Sequence, residues 1–443
     1  MTAKIIIRGG KKLSGTVAIR GAKNSVLELI PATLLTDEKV VLHNVPNLND
    51  METICKLMEC FGTEISWDKE NHTMTLQTKI LKSHIAPYEI VKTMRASIYV
   101  LGALLGRAGQ AQVSFPGGCV LGPRPIDVHI NAMGALGASI KIIHGNIIAD
   151  APKIDNTQRL IGGNMKLLNP QGKTSHGGTA NAILAAVLAR GKTTIEYASP
   201  EPEIDDLIAM LNLMGGKIAR QKNTDAIETI IIEGVDKLHG CEFSVMPDRI
   251  EAVSYAVAGA VNGGVVKITN TDTTKYELVL QKLSDAGVIF EVADGGQTLI
   301  VDGEKTKLCG TDIETLVYPG FPTDDLPQFM TLLALADGKS CVQENITGDR
   351  FQCVPELRRM GAIAKVDEKN QNVMHFMGVK EFSSTSVMAA DLRSGFALVI
   401  AGLTANHGGT TEVLRAYHIF RGYESFIENF RALGADIEKG YEE

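Results

Sequence analysis

The chain has 443 residues, with 44 Lys and Arg set against 51 Asp and Glu for a formal net charge of −7 at pH 7. That length exceeds one ordinary hydrophobic core and points to two or three domains, while the acidic balance argues against a partner held by bulk charge, such as nucleic acid or an anionic membrane surface. Hydrophobic residues at 44% and charged residues at 21% suit a globular protein that folds throughout, and the longest apolar runs, such as residues 182–189, fall short of the roughly 18–20 residues a membrane span needs.

In chain order, residues 1–8 (Met-Thr-Ala-Lys-Ile-Ile-Ile-Arg) hold no apolar stretch long enough for a secretory signal and read as an immediate β-strand, so the expected location is the cytoplasm. Residues 18–25 break at Gly21 from strand into helix. Lys23 and Asn24 then stand at the helix N-terminus, where unpaired N–H groups and the positive dipole end favour an anion. A phrase of amphipathic helix, glycine and β-branched strand follows around Gly62 and recurs around Gly137, Gly215, Gly287, Gly361 and Gly434, at spacings of 75, 78, 72, 74 and 73 residues. Each glycine falls where a helix stops, the position of a left-handed residue after the C-cap. The same units carry an earlier apolar helix leading to a strand: 183–190 then 192–197, 252–261 then 265–269, 329–336 then 340–343. Six such units fill the chain. They are too large for a stacked solenoid repeat, and three per body predicts two domains with a boundary near residue 240, joined by short crossings at a cleft with no Pro- or Ser-rich tether.

Four stretches carry chemistry. Residues 116–125 hold three glycines and three prolines, a loop that is neither helix nor regular strand and is able to move as a lid. Cys119 lies in it, five residues from Arg124, where a thiol loses its proton more readily than in a core; a plain structural cysteine is the competing reading. The other six of the seven cysteines (55, 60, 241, 309, 341 and 353) form no C-x-x-C pair and read as small hydrophobes, not as disulfides or zinc ligands. Residues 318–325 turn into a helix at Pro327, with Thr323 or Asp324 as a cap, or with a carboxylate able to take a proton from a substrate hydroxyl. Asp324 and Asp325 are adjacent, so both readings stay open. Arg95, Arg350, Arg393 and Arg415 occupy equivalent places in different units, and arginine forks match phosphate and carboxylate oxygens. Singly, each reads as a surface ion pair worth below about 1 kcal/mol; together they suggest one anionic cleft.

At these residues the sequence resembles the enolpyruvyl transferase family over essentially its whole length. The most specific stretches are Arg20-Gly21-Ala22-Lys23-Asn24, Gly118-Cys119 through Arg124-Pro125-Ile126-Asp127-Val128-His129, Gly320-Phe321-Pro322-Thr323-Asp324, Asp391-Leu392-Arg393 and residues 417–423. The resemblance implies an α/β fold of two inside-out α/β barrels built from six repeated units, three per domain. Residues 21–240 would form the N-terminal catalytic domain with the Cys119 loop, residues 1–20 and 241–443 a discontinuous C-terminal domain, and the active site would lie in the cleft between them. The implied reaction moves the enolpyruvyl group of phosphoenolpyruvate to the 3′-hydroxyl of UDP-N-acetylglucosamine and releases phosphate, the first committed step towards peptidoglycan precursors, with no metal or organic cofactor.

The same resemblance implies roles residue by residue. Lys23, Arg124 and Arg415 surround the phosphate and carboxylate of phosphoenolpyruvate. Asn24 and Asp324 contact the sugar, with Asp324 as base, and Cys119 forms an adduct with phosphoenolpyruvate, takes part in acid chemistry and is the target of fosfomycin. Arg95, Lys173, Ser175 and Gly177 stand near the diphosphate, Pro125, Ile126, Asp127 and Val128 along the uridine, and Ile346 at a backbone contact, while Arg350, Asp391 and Arg393 close the cleft. Three positions depart from the family pattern: Glu28 on an apolar helix, His176 before Gly177, and Phe420 before Arg421-Gly422-Tyr423. They bear on the acceptor more than on the reaction, so the alternatives are another uridine-nucleotide acceptor or a non-catalytic nucleotide-sugar-binding relative. Intact Lys23, Cys119, Asp324 and Arg415 count against the second.

Overall fold

The structure, a computed structural model, describes residues 2–115, 126–222, 227–405 and 409–442. The described chain contains six four-stranded sheets with one shared pairing scheme: a short edge strand runs parallel to its neighbour, and the two remaining joints are antiparallel. Three of these sheets belong to a unit between Gly21 and Met246, and three to a unit of Met1–Arg20 with Pro247–Glu443.

Long-range pairing decides which residues belong to which unit. Strand Ala3–Arg8 lies between Thr411–Leu414 and Asp436–Tyr441, and Gly15–Ala18 pairs in parallel with Val265–Thr269, so the first twenty residues are built into the later unit. At the other crossing, Glu242–Ser244 pairs in parallel with Val40–His43. The boundary therefore falls after Met246, beyond the expected 240, because these residues complete a sheet of the earlier unit.

Each unit has its own core. Lys23–Ala32, Val100–Ala108 and His176–Ala186 are helices with almost no exposed face, as are Arg249–Asn262, Leu326–Leu335 and Leu392–Thr404 in the other unit. Small residues permit that burial: a Cβ on Gly102 would lie 2.3 Å from the Asn181 carbonyl oxygen, so the two helices meet backbone to backbone. Other helices are amphipathic. Asn49–Cys60 buries Met51, Ile54, Leu57 and Met58 at helical spacing. The helix expected over 183–190 instead runs His176–Ala186, because Ser175 starts it by accepting the Gly178 N–H at 3.1 Å. Those expected over 252–261 and 329–336 appear as Arg249–Asn262 and Leu326–Leu335. All six marker glycines have positive φ, between 79° and 101°.

Candidate functional site

In the unit between Gly21 and Met246, the turn into Lys23–Ala32 is fixed by close approach: a Cβ on Gly21 would lie 1.9 Å from the Asn44 carbonyl oxygen. That turn sets Lys23 at the first helical position, nearly buried, with Nζ 3.3 Å from Asp50 Oδ2 in the first turn of Asn49–Cys60. Asn24 is half-buried beside it. Arg95 opens the 3-10 turn Arg95–Tyr99. Burial, with the Arg95 charge adding to it, pushes His129 down to about 3, so its ring is neutral.

The turns at 126–129 and 175–178 press on one another. A Cβ on Gly177 would come within 3.1 Å of the His129 ring and 3.5 Å of the Tyr99 hydroxyl, and one on Gly178 within 2.6 Å of Val128. Asn181 holds this corner together, its side-chain nitrogen 3.0 Å from His129 Nδ1 and its oxygen accepting the Gly102 N–H at 2.7 Å. Ile126 and Val128 are buried at the start of Asp127–Ala135, with Asp127 exposed between them. Lys173 closes the turn before Ser175 by donating its N–H to Asn169 Oδ1 at 2.9 Å. The structure thus brings Val128, Ser175 and Gly177 into one corner, near Arg95.

The other unit gathers Asp324, Arg350 and Arg393. Asp324 Oδ1 accepts from Arg350 Nη2 at 2.5 Å, and Oδ2 lies 3.5 Å from Arg393 Nε. Both arginines are 2% exposed, so they are not the surface ion pairs a lone arginine suggests; the Asp324 side chain is 29% exposed. Arg350 also donates to Thr323 Oγ1 at 3.1 Å, and Arg393 lies over the Tyr423 ring, 5.2 Å from its centroid. Burial works against the Arg393 charge, yet Tyr423, Asp324 and Asp248 together hold its guanidinium protonated well above its ordinary range.

Adjacent acids that the sequence leaves alike are different groups in space. Asp325 is fully buried, and burial pushes its carboxyl well above the usual range, Asp324 and Asp248 adding to the effect and Arg249 and Arg393 opposing it. Neither Thr323 nor Asp324 caps the helix Leu326–Leu335, which corrects the capping reading. Thr323 donates to Glu344 Oε2 at 2.8 Å, Asp324 is held by arginine, and Pro327 in the first turn leaves one N–H fewer to satisfy.

Asp391 is the N-cap of Leu392–Thr404, accepting the N–H groups of Arg393 at 2.7 Å and Ser394 at 3.0 Å in a capping box, and thereby aims Arg393. The Ile346 N–H is taken by the Glu344 carboxylate, so a backbone contact offered there comes from its carbonyl. Arg415 is exposed after Thr411–Leu414 in the left-handed region, φ 55°. Cys119, Arg124 and Pro125 lie outside the described residues.

Sequence reasoning passed over Asp50 as the partner of Lys23, and noted Glu28 and His176 without joining them. In space His176 Nε2 is 2.5 Å from Glu28 Oε1. The available signal was the charge itself: a lone carboxylate on the apolar face of 25–30 demands a buried partner.

Comparisons with known proteins follow the same lines. Residues 7–430 match the family described as EPSP synthase (3-phosphoshikimate 1-carboxyvinyltransferase). The chain is 46% identical to a UDP-N-acetylglucosamine 1-carboxyvinyltransferase of Novosphingobium aromaticivorans, over 98% of this chain and 99% of that protein. It is 42% identical to one of Methylacidiphilum infernorum, over 99% of each. Among solved structures, the enolpyruvyl transferase NikO from Streptomyces tendae superposes with a TM-score of 0.86 at 23% identity, covering 99% of both chains, which establishes a shared fold.

Proposed function

The chain belongs to the EPSP synthase family of carboxyvinyltransferases, and from that premise we propose that it transfers the enolpyruvyl group of phosphoenolpyruvate to the 3′-hydroxyl of UDP-N-acetylglucosamine, releasing phosphate, towards peptidoglycan precursors. Near-full-length identity to two proteins named for this acceptor carries the reading. The finer architecture that goes with it is an inside-out α/β barrel in each unit, supported by three buried helices per unit and by sheets whose strands alternate buried and solvent-facing residues.

Transfer is an addition followed by an elimination. In the addition the 3′-oxygen bonds to C2 of phosphoenolpyruvate, C3 gains a proton and the hydroxyl loses one. In the elimination C3 gives up a proton and the bond from C2 to the phosphate oxygen breaks, leaving the enol ether and inorganic phosphate. The chemistry needs a base at oxygen, an acid at carbon and fixed cations around a centre flanked by anions.

Asp324 takes the base role, its carboxylate held in orientation by Arg350 and Arg393. Cys119 or Lys23 supplies the proton to carbon, and Lys23, Arg124 and Arg415 hold the phosphate and carboxylate. Asn24 joins Asp324 at the sugar. Arg95, Lys173, Ser175 and Gly177 serve the diphosphate, Pro125, Ile126, Asp127 and Val128 the uridine, and Ile346 contributes a backbone contact.

Incubating the purified protein with both substrates is expected to release one phosphate per enolpyruvyl group transferred. Release with a different uridine nucleotide but none with UDP-N-acetylglucosamine moves the acceptor. Asp324→Ala is expected to abolish turnover while UDP-N-acetylglucosamine still binds in calorimetry; an active variant puts the base elsewhere.

A further inference from the structure

Glu28 and His176 hold none of the roles above, yet they meet. Glu28 is 0% exposed on a helix whose neighbouring positions are Val26, Leu27, Leu29 and Ile30. A carboxylate alone there would give up its charge. Instead its Oε1 stands 2.5 Å from Nε2 of His176, whose Nδ1 faces Glu201 Oε2 at 3.8 Å.

Burial works against the imidazolium, but the attraction of the Glu28 carboxylate in contact with it, then the charges of Glu201 and Glu203, raise His176 to about 10, so the ring is charged at neutral pH. The groups acting on it are Glu28 on Lys23–Ala32 and Glu201 and Glu203 at the start of Pro202–Leu213; around the pair stand Tyr99, which lies near Glu28, Arg95, and the neutral His129, whose ring and the Tyr99 hydroxyl border the adjoining Gly177. Burial, with the Glu28 charge adding to it, holds the Tyr99 hydroxyl well above its ordinary range.

The pair joins two segments that carry proposed binding residues. Asn24 and Glu28 are four residues apart on one helix and share a face. His176 lies between Ser175 and Gly177 in sequence and is the first residue of His176–Ala186. Its charge is matched by two carboxylates, so the ring anchors the backbone on either side of it and is not itself the anion's ligand.

We infer that Glu28, acting through His176, is a positioning residue that holds Ser175 and Gly177 in place for the diphosphate of the nucleotide sugar, an inference that rests on the transfer reading above. Glu28→Gln and His176→Gln are each expected to raise KM for UDP-N-acetylglucosamine about tenfold, with kcat and KM for phosphoenolpyruvate within about threefold of the parent. In the double variant Glu28→Leu/His176→Val the buried carboxylate and the ring that answers it are removed together, and the effects are expected to be non-additive, with KM no worse than in either single variant.

The pH profile separates positioning from mere stability. KM for the nucleotide sugar is expected to stay flat between pH 6 and 9 in the parent, and to vary with pH across the ordinary histidine range in Glu28→Gln. Parental KM in both single variants, additive losses in the double, or a loss in all three constants that follows the melting temperature would overturn the inference. A parent that releases no phosphate with UDP-N-acetylglucosamine sinks the transfer reading instead. Calorimetric binding of UDP to the same four proteins then decides the positioning role, with unchanged affinity in the single variants counting against it.

Discussion

At the scale of single residues, burial separates groups that sequence makes equivalent. Asp324 is partly exposed and paired with Arg350, while Asp325, one residue on, is sealed into the core with its carboxyl pushed well above the usual range. The raised value has a definite sign: the folded chain keeps a proton that the unfolded chain loses near pH 4, so folding is penalised increasingly as pH rises from there towards the folded value. Asp325→Asn removes the titration at nearly constant shape. Its melting temperature relative to the parent is expected to rise between pH 5 and pH 8, and a difference independent of pH would mean that Asp325 is ionised in the folded protein. Arg350 tests the neighbouring carboxylate from the other side. Arg350→Met leaves Asp324 without its closest cation, and turnover is expected to fall by about 10²-fold, within the range a positioned base contributes; near-parental turnover would show that Asp324 needs no such orientation. The adjacency of the two acids was legible in sequence, but their division of labour depends on which side of a turn faces the core, and no periodicity reports that.

At the scale of elements, what the sequence displays is local chemistry. The six glycines were legible because each terminates a helix where a left-handed residue is needed, a demand written within a few positions, and all six have positive φ. Gly361 has open space around it, the nearest side-chain atom being Ser383 Oγ at 4.0 Å, whereas a Cβ on Gly287 would sit 2.1 Å from the Lys307 carbonyl oxygen. Gly361→Ala is therefore expected to cost only the left-handed conformation, about 1–2 kcal/mol, and Gly287→Ala distinctly more, as read from thermal melts of both; equal shifts would deny the steric part. Asp391 offers a parallel test of capping against direct ligand contact. Asn caps a helix about as well as Asp, whereas Ala costs about 1 kcal/mol, so Asp391→Asn is expected to keep both stability and turnover and Asp391→Ala to lose stability. A stable but inactive Asn variant would assign the carboxylate to the substrate. Edge strands such as Ile85–Ala86 and Ile313–Glu314 escaped the sequence reading, since two residues carry no alternation to detect. The same holds for Glu242–Ser244, whose partner Val40–His43 lies some two hundred residues earlier and whose pairing moves the unit boundary to Met246.

For the whole molecule, the acidic total of −7 coexists with Lys23, Arg350 and Arg393 buried against carboxylates, so bulk charge and local charge answer different questions. The glycine spacing predicts six repeats, and six four-stranded sheets share one pairing scheme among the described residues, but the way the chain closes each unit was not legible, because closure depends on strands drawn from the opposite end of the sequence. That asymmetry has a consequence for excised pieces. Residues 21–246 contain every strand of three sheets and a complete core. Residues 247–443 do not: one sheet lacks Ala3–Arg8, which bridges Thr411–Leu414 and Asp436–Tyr441, and another lacks its edge strand Gly15–Ala18. Without the bridging strand, two antiparallel ladders are lost and Ile5 and Ile7, both fully buried, leave a void in the core. A fragment of residues 21–246 is expected to melt cooperatively by circular dichroism, and a fragment of residues 247–443 to show no cooperative transition. Covalently restoring residues 1–20 to the N-terminus of the second fragment through a flexible linker is expected to recover the transition, because the gap is one of strand content and not of chain order. A cooperative melt of 247–443 by itself would mean that its sheets tolerate the missing strand, and that the first twenty residues contribute to that unit's shape without being needed for its folding.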